Sequence, residues 1–155
     1  MQRINWVRVV LGGLLSGLVG VLGHSVLWLL GNKRWAPVVQ PHVAGVMEPG
    51  QLNPKPEFML LFGAVFFALA IVMVWLYAAI RPRYGPGPKT AVIAGFAMYL
   101  TLILSDAIWV PMSGFPVEVA AMALPAYLPI FIAAAVAGAW VYKEPAHAAA
   151  AKTAG

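Results

Sequence analysis

Residues 58–80 read FMLLFGAVFFALAIVMVWLYAAI. The run carries no charge and no side chain more polar than tyrosine. It exceeds the roughly 20 residues that a helix needs, at about 1.5 Å rise each, to cross the apolar core of a bilayer. In water such a run would expose a broad apolar surface. In lipid it makes a spanning helix whose backbone hydrogen bonds are closed within the segment. Residues 9–30, 90–110 and 119–142 pass the same test, and Asp106 is the only formally charged residue inside any of the four. The expected fold class is therefore all-α, a polytopic membrane protein forming a bundle of four transmembrane helices in a single integral membrane domain, residues 1–155. Between the spans lie a long outer loop at 31–57, a short basic turn at 81–89 and a short loop at 111–118. The alanine-rich tail is expected to be disordered from about residue 145 to 155.

Composition points the same way. Of 155 residues 62% are hydrophobic and only 10% charged, with a mean hydropathy of +0.84, whereas a soluble domain carries about a quarter charged residues. Cysteine is absent, which removes disulfides, thiolate metal sites and cysteine nucleophiles together. The net charge of +5 comes from residues scattered at segment ends, without a dense run or a basic amphipathic helix, so no nucleic-acid partner is expected. Arg3 and Arg8 precede the first segment as they would in a signal peptide. Its apolar run, however, is longer than the usual 7–15 residues, and no small-x-small cleavage site follows at Leu29-Leu30-Gly31-Asn32-Lys33. It is read as an uncleaved helix.

Lysine and arginine set the orientation. Arg3, Arg8, Arg81, Arg83, Lys89, Lys143 and Lys152 fall on one side, against Lys33, Arg34 and Lys55 on the other. Both termini are therefore expected inside. Aromatic residues give a charge-independent check, because amphipathic rings prefer the headgroup level. Trp6, Trp75, Tyr77, Tyr84, Trp140 and Tyr142 gather at the expected inner interface, and Trp28, Trp35, Trp109 and Tyr127 at the outer one.

Spacing along the helices suggests packing faces. Gly13, Gly17, Gly20 and His24 recur at i, i+4, i+7, i+11 on the first helix. Small residues let helices approach closely in lipid, where no hydrophobic drive separates helix from solvent. The Gly13/Gly17/Gly20 stripe is thus expected to face protein, with Ala64/Ala68 and Ala134/Gly138 as notches on the second and fourth helices, and Gly12 off the stripe. Gly95, Tyr99, Leu102 and Asp106 repeat the spacing on the third helix. His24 and Asp106 lie at similar depth in the outer half, so His24, Asp106 and Tyr99 form a candidate polar pocket. An ionisable residue inside a span is a functional-site hypothesis by default; a His–Asp hydrogen bond tying two helices together is the structural alternative. No metal motif such as His-Glu-x-x-His occurs, and no cofactor fingerprint. Metal and cofactor sites are therefore not expected.

The stretch Arg81-Pro82-Arg83-Tyr84-Gly85-Pro86-Gly87-Pro88-Lys89-Thr90 has the Gly and Lys-Thr of a phosphate loop. It lacks the Gly before the Lys, and Pro86 and Pro88 have no N–H to offer a phosphate. It reads instead as a stiff connector whose Arg81, Arg83 and Lys89 meet anionic lipid headgroups, at about 1 kcal/mol each. With its glycine-rich first helix and this turn, the chain resembles small bacterial membrane proteins with four predicted helices. That resemblance implies a bacterial inner (cytoplasmic) membrane and carries over no functional residue.

Three function classes follow. The first is a non-catalytic accessory or scaffold subunit that pairs with membrane lipids and with a second copy of itself or another membrane protein. The second is an oligomeric channel or carrier for protons or small solutes using His24 and Asp106. The third is an intramembrane enzyme, for which Ser25 and Ser105 lie in no recognisable nucleophile setting. The orientation is tested directly: a reporter active only in the periplasm, fused after Gly155, should give no signal, and a strong signal would invert the topology.

Overall fold

The computed structural model describes residues 4–48 and 54–142. Among them it shows α1 (Trp6–Val43), α2 (Pro56–Tyr84), α3 (Pro88–Ser113) and α4 (Val117–Val141). Each contains a stretch long and apolar enough to cross a membrane: Trp6–Gly31, Pro56–Tyr84, Pro88–Ser113 and Val117–Val141. The only extended pairing in the described residues is an isolated bridge between Met47 and Pro54.

Local chemistry marks the helix ends. Asn5 caps α1, its side-chain oxygen accepting the backbone N–H of Arg8 at 3.2 Å. Pro56 and Pro88 open α2 and α3, where a missing N–H costs no helical bond. The α2–α3 turn uses Gly85 (φ 82°) and Gly87 (φ 122°), conformations that a side chain would strain. It is fastened by the Thr90 hydroxyl donating to the Gly85 carbonyl (2.6 Å) and the Gly87 N–H donating to the Tyr77 hydroxyl (3.3 Å). The Asn5 N–H donates to the hydroxyl of Tyr142 (3.4 Å), whose ring meets Tyr77 edge-on at 5.9 Å. The start of α1, the α2–α3 turn and the end of α4 therefore share one end of the bundle, here termed the turn end.

α1 differs from its sequence-based limits. The polar Gly31-Asn32-Lys33-Arg34 placed the end at Leu30 and a loop at 31–57, but the helix runs on to Val43 with Pro37 and Pro41 inside it. Its 38 residues span about 57 Å at 1.5 Å each, far more than the ~30 Å bilayer core. Hydropathy reports the medium and not the backbone conformation. Beyond Gly31 the helix persists because Trp28, Trp35, Ala36, Val39 and Val43 cluster against Phe115 and Val119. Met47 then folds back, with Gln40 donating to the Glu48 carbonyl (2.7 Å) and the Lys55 N–H to the Val46 carbonyl (2.8 Å).

α1 packs on α2 and α4, α3 packs on the same two helices, and α2 touches α4 across one diagonal, while α1 and α3 are not in contact. Glycine sets the closest approaches. A Cβ on Gly12 would stand 2.6 Å from the Gly138 carbonyl oxygen, and one on Gly138 would meet Gly12 O at 3.0 Å. Gly13 abuts Ile71, Gly17 abuts Phe67, and a Cβ on Gly95 would lie 2.9 Å from Phe131 O. Gly20 does not belong with these: nothing lies within 4 Å of a Cβ there. Gly12, expected off the packing stripe, is the tightest point between α1 and α4. Two faces of α1 are at work, Gly12/Ser16/Gly23 toward α4 and Gly13/Gly17 toward α2, and the same i, i+4 step opens both. Ala134 and Gly138 are buried as notches, whereas Ala64 and Ala68 are exposed. The tail expected to be disordered lies outside the described residues.

Gly12→Ala should lower stability by about 1–3 kcal/mol, the usual cost of overpacking against unyielding backbone. Gly20→Ala should stay within about 1 kcal/mol of the parent. Denaturation with SDS in mixed micelles reads both, and equal tolerance at the two positions would refute the α1–α4 close approach.

Candidate functional site

The buried residues of α2 all lie between Ala70 and Ala78, and five of the six on α3 lie between Thr90 and Tyr99. Burial on both helices is thus concentrated near the turn end and thins out beyond it. The space left behind is a cavity of about 300 Å³ walled by all four helices. Its lining is mainly aliphatic and aromatic, and Ser16, His24, Asp106 and Tyr127 supply its polar groups. On α2 the rim residues Phe62, Val65 and Leu69 remain exposed.

His24 is held by aromatic neighbours from three helices. The Trp28 indole N–H, four residues on, donates to His24 Nε2. Tyr127 of α4 stacks on the imidazole at 5.6 Å and 16°, and Phe66 of α2 leans against it at 5.3 Å. An indole N–H can only donate, so Nε2 is the accepting nitrogen in this contact and Nδ1 is left as the other polar atom of the ring. That Nδ1 is buried without a hydrogen-bond partner, as is the hydroxyl oxygen of Ser16. Ser16 is unlike Ser25 and Thr101, whose hydroxyls close onto the carbonyls of Val21 (2.8 Å) and Ala97 (3.0 Å). Buried polar groups normally find partners, so these two mark the α1 wall as the place where a guest or water would be held.

Asp106 reaches the same cavity from α3, and no hydrogen bond or ion pair to it exists among the described residues. His24 and Asp106 therefore share a cavity without bonding, because their helices face one another diagonally. Tyr99 departs from the expected pocket. It is 7% exposed and packs between Phe96 (6.4 Å) and Phe131 (6.1 Å) at the α3–α4 interface. The cavity face of α3 is instead Met98, Leu102 and Asp106, spaced four residues apart. Gly20, open on its α2 side, forms part of the cavity wall beside Gly17. Trp28, Phe66 and Tyr127 were not singled out from sequence as site residues. Only Trp28, at i+4 from His24, was legible there; the other two arrive by tertiary packing.

Arg81, Arg83 and Lys89 stand at the turn end, the opposite end of the bundle from His24 and Asp106. The Arg81 guanidinium lies 5.7 Å from the Tyr142 ring centroid and that of Arg83 5.9 Å from Tyr84, while Lys89 is exposed. Among the described residues no three His, Asp or Glu side chains gather as metal ligands. Ser16 and His24 lie eight residues apart on one helix, about 12 Å, too far for a nucleophile–base pair. A second cavity, about 150 Å³, lies under the α1 extension between Trp35, Val39, Phe115 and Val119. What the main cavity can do is enclose an apolar molecule beside one carboxylate. No known protein family, curated protein or solved structure matches the chain.

Double-mutant cycles separate contact from proximity. His24→Ala and Tyr127→Ala should couple by about 0.5–1.5 kcal/mol, the usual worth of a ring pair. His24→Ala and Asp106→Asn should add within about 0.5 kcal/mol, as unbonded groups do. Unfolding in lipid nanodiscs measures both.

Proposed function

We propose that this protein is a multi-pass protein of the bacterial inner membrane with both termini cytoplasmic, a non-catalytic accessory subunit that holds a membrane-dissolved molecule within its bundle. The observation that carries this reading is the ~300 Å³ cavity, whose apolar lining is interrupted only by Ser16, His24, Asp106 and Tyr127. Ligand sites have this make-up, apolar walls with a few polar groups that orient the guest, and this volume lies at the lower limit of their usual range. The inside orientation is supported by the seven-to-three distribution of lysine and arginine. The turn end gathers Arg81, Arg83 and Lys89, which suits contact with anionic headgroups. The exposed apolar surface of all four helices leaves room for lipid and for a partner, either a second copy or another membrane protein.

A carrier for protons or small solutes is the second reading, favoured by one observation: His24 and Asp106 line the same cavity. Proteoliposomes under an imposed pH gradient distinguish the two. A carrier dissipates the gradient faster than protein-free vesicles, and a binding subunit does not.

The binding reading is tested by filling the cavity. Gly20 has no atom within 4 Å of a Cβ position, so Gly20→Phe places a ring in the empty space. Native mass spectrometry of the wild-type protein released from nanodiscs should show a retained small molecule. Gly20→Phe should lose that mass while unfolding at a similar SDS fraction. Retention by the variant would place the bound molecule elsewhere and remove the case for the cavity.

A further inference from the structure

We infer that the cavity selects a lipophilic organic monocation, with the apolar body seated between α1, α2 and α4 and the positive centre next to Asp106. The inference rests on the cavity being a binding site and adds the charge of the guest. Asp106 is the only formally charged residue within the apolar runs 9–30, 58–80, 90–110 and 119–142. It borders a cavity whose other walls are apolar or neutral, and no cation among the described residues pairs with it. A carboxylate in such surroundings is costly to desolvate and gains most from an opposite charge brought in by a guest.

Nothing in the lining competes for that role. No lysine or arginine lines the cavity. The imidazole of His24 already meets the Trp28 indole N–H at Nε2 and the rings of Phe66 and Tyr127. Phe62, Phe66, Phe131 and Tyr127 lie along the same walls. Aromatic faces attract an organic cation and repel an anion, most strongly where water is excluded. Access fits too. Phe62, Val65 and Leu69 line the cavity and are also exposed on the bundle surface, where they meet the medium in which a lipophilic cation dissolves. An anion would meet the Asp106 carboxylate. A neutral molecule would fill the same space but leave that charge unpaired.

The test uses a matched pair of probes and reporters that the protein already contains. Benzyltrimethylammonium and neopentylbenzene have the same shape, with a quaternary nitrogen in one and a carbon in the other. Met73 and Met98 line the cavity, whereas Met59 and Met112 are exposed on the bundle surface and report partitioning into lipid. The full chain, labelled with methyl-¹³C methionine in nanodiscs, is titrated with each probe at matched membrane concentration. The cation should move the Met73 and Met98 methyl signals saturably, with an apparent Kd at least about tenfold below that of the neutral isostere. Asp106→Asn should weaken the cation about tenfold and leave the neutral probe unchanged, and Asp106→Glu should keep the preference. Equal binding of the two probes to the wild-type chain would overturn the charge selection while leaving the cavity a binding site. Shifts confined to Met59 and Met112 would overturn both. The wild-type comparison needs no variant, so it decides the matter even where Asp106→Asn folds poorly.

Discussion

Where α1 crosses α4, the two backbones come so close that a Cβ on Gly12 would collide with the Gly138 carbonyl oxygen at 2.6 Å, and one on Gly138 would crowd the Gly12 carbonyl oxygen at 3.0 Å. In lipid, packing and not hydrophobic exclusion draws helices together, and at this crossing the α1 and α4 backbones themselves meet. Val74 of α2 fits against the same pair, its two methyls within 3.1 Å and 2.5 Å of Cβ positions built on Gly12 and Gly138. Three helices are thereby locked at one level. The buried cluster of Val9, Val74, Tyr77, Ala78, Ala91, Ala94 and Tyr142 extends that contact to the turn end.

The cavity follows from the same constraint. α2 and α3 are pinned at the turn end by Tyr77, Thr90 and the paired glycines, and α3 is held to α4 where Gly95 meets Phe131 and Ala135. Farther along, α2 presents Phe62, Phe66 and Leu69 in place of small residues, and α1 presents Gly20, which contributes no side chain. Bulky groups on one wall and none on the other leave an opening. His24 closes its edge by meeting Trp28, Phe66 and Tyr127 at once, linking α1 to α2 and α4 beside the cavity.

At the far end a different solution holds α1 and α4 together. The extension of α1 to Val43 lays Ala36 and Val39 on Val119, with Trp28, Trp35 and Phe115 around them. This contact lies within about 18 Å along the helix from Gly31, so it continues the α1–α4 pairing past the stretch apolar enough for lipid. Burial among large side chains here offsets the two backbone bonds that Pro37 and Pro41 cannot make.

Much of the architecture was legible in the chain itself. Runs such as residues 58–80 demand a spanning helix because an unsatisfied backbone in lipid is prohibitively expensive. Gly85-Pro86-Gly87-Pro88 announces a turn because only glycine takes those φ values freely and proline starts a helix. His24 and Asp106 stood out as ionisable groups at similar depth. Three things lay outside the reach of pattern. The continuation of α1 past Gly31 depends on Val119 and Phe115, which are remote in the chain. Which glycines pack tightly depends on what faces them, since the same periodicity describes the Gly12 face against α4 and the Gly13 face against α2. That His24 and Asp106 share a cavity without touching, while Tyr99 turns away into the α3–α4 interface, follows from α1 and α3 occupying the open diagonal of the bundle. Periodicity along one helix determines which residues share a face; only the arrangement of the helices decides what that face meets.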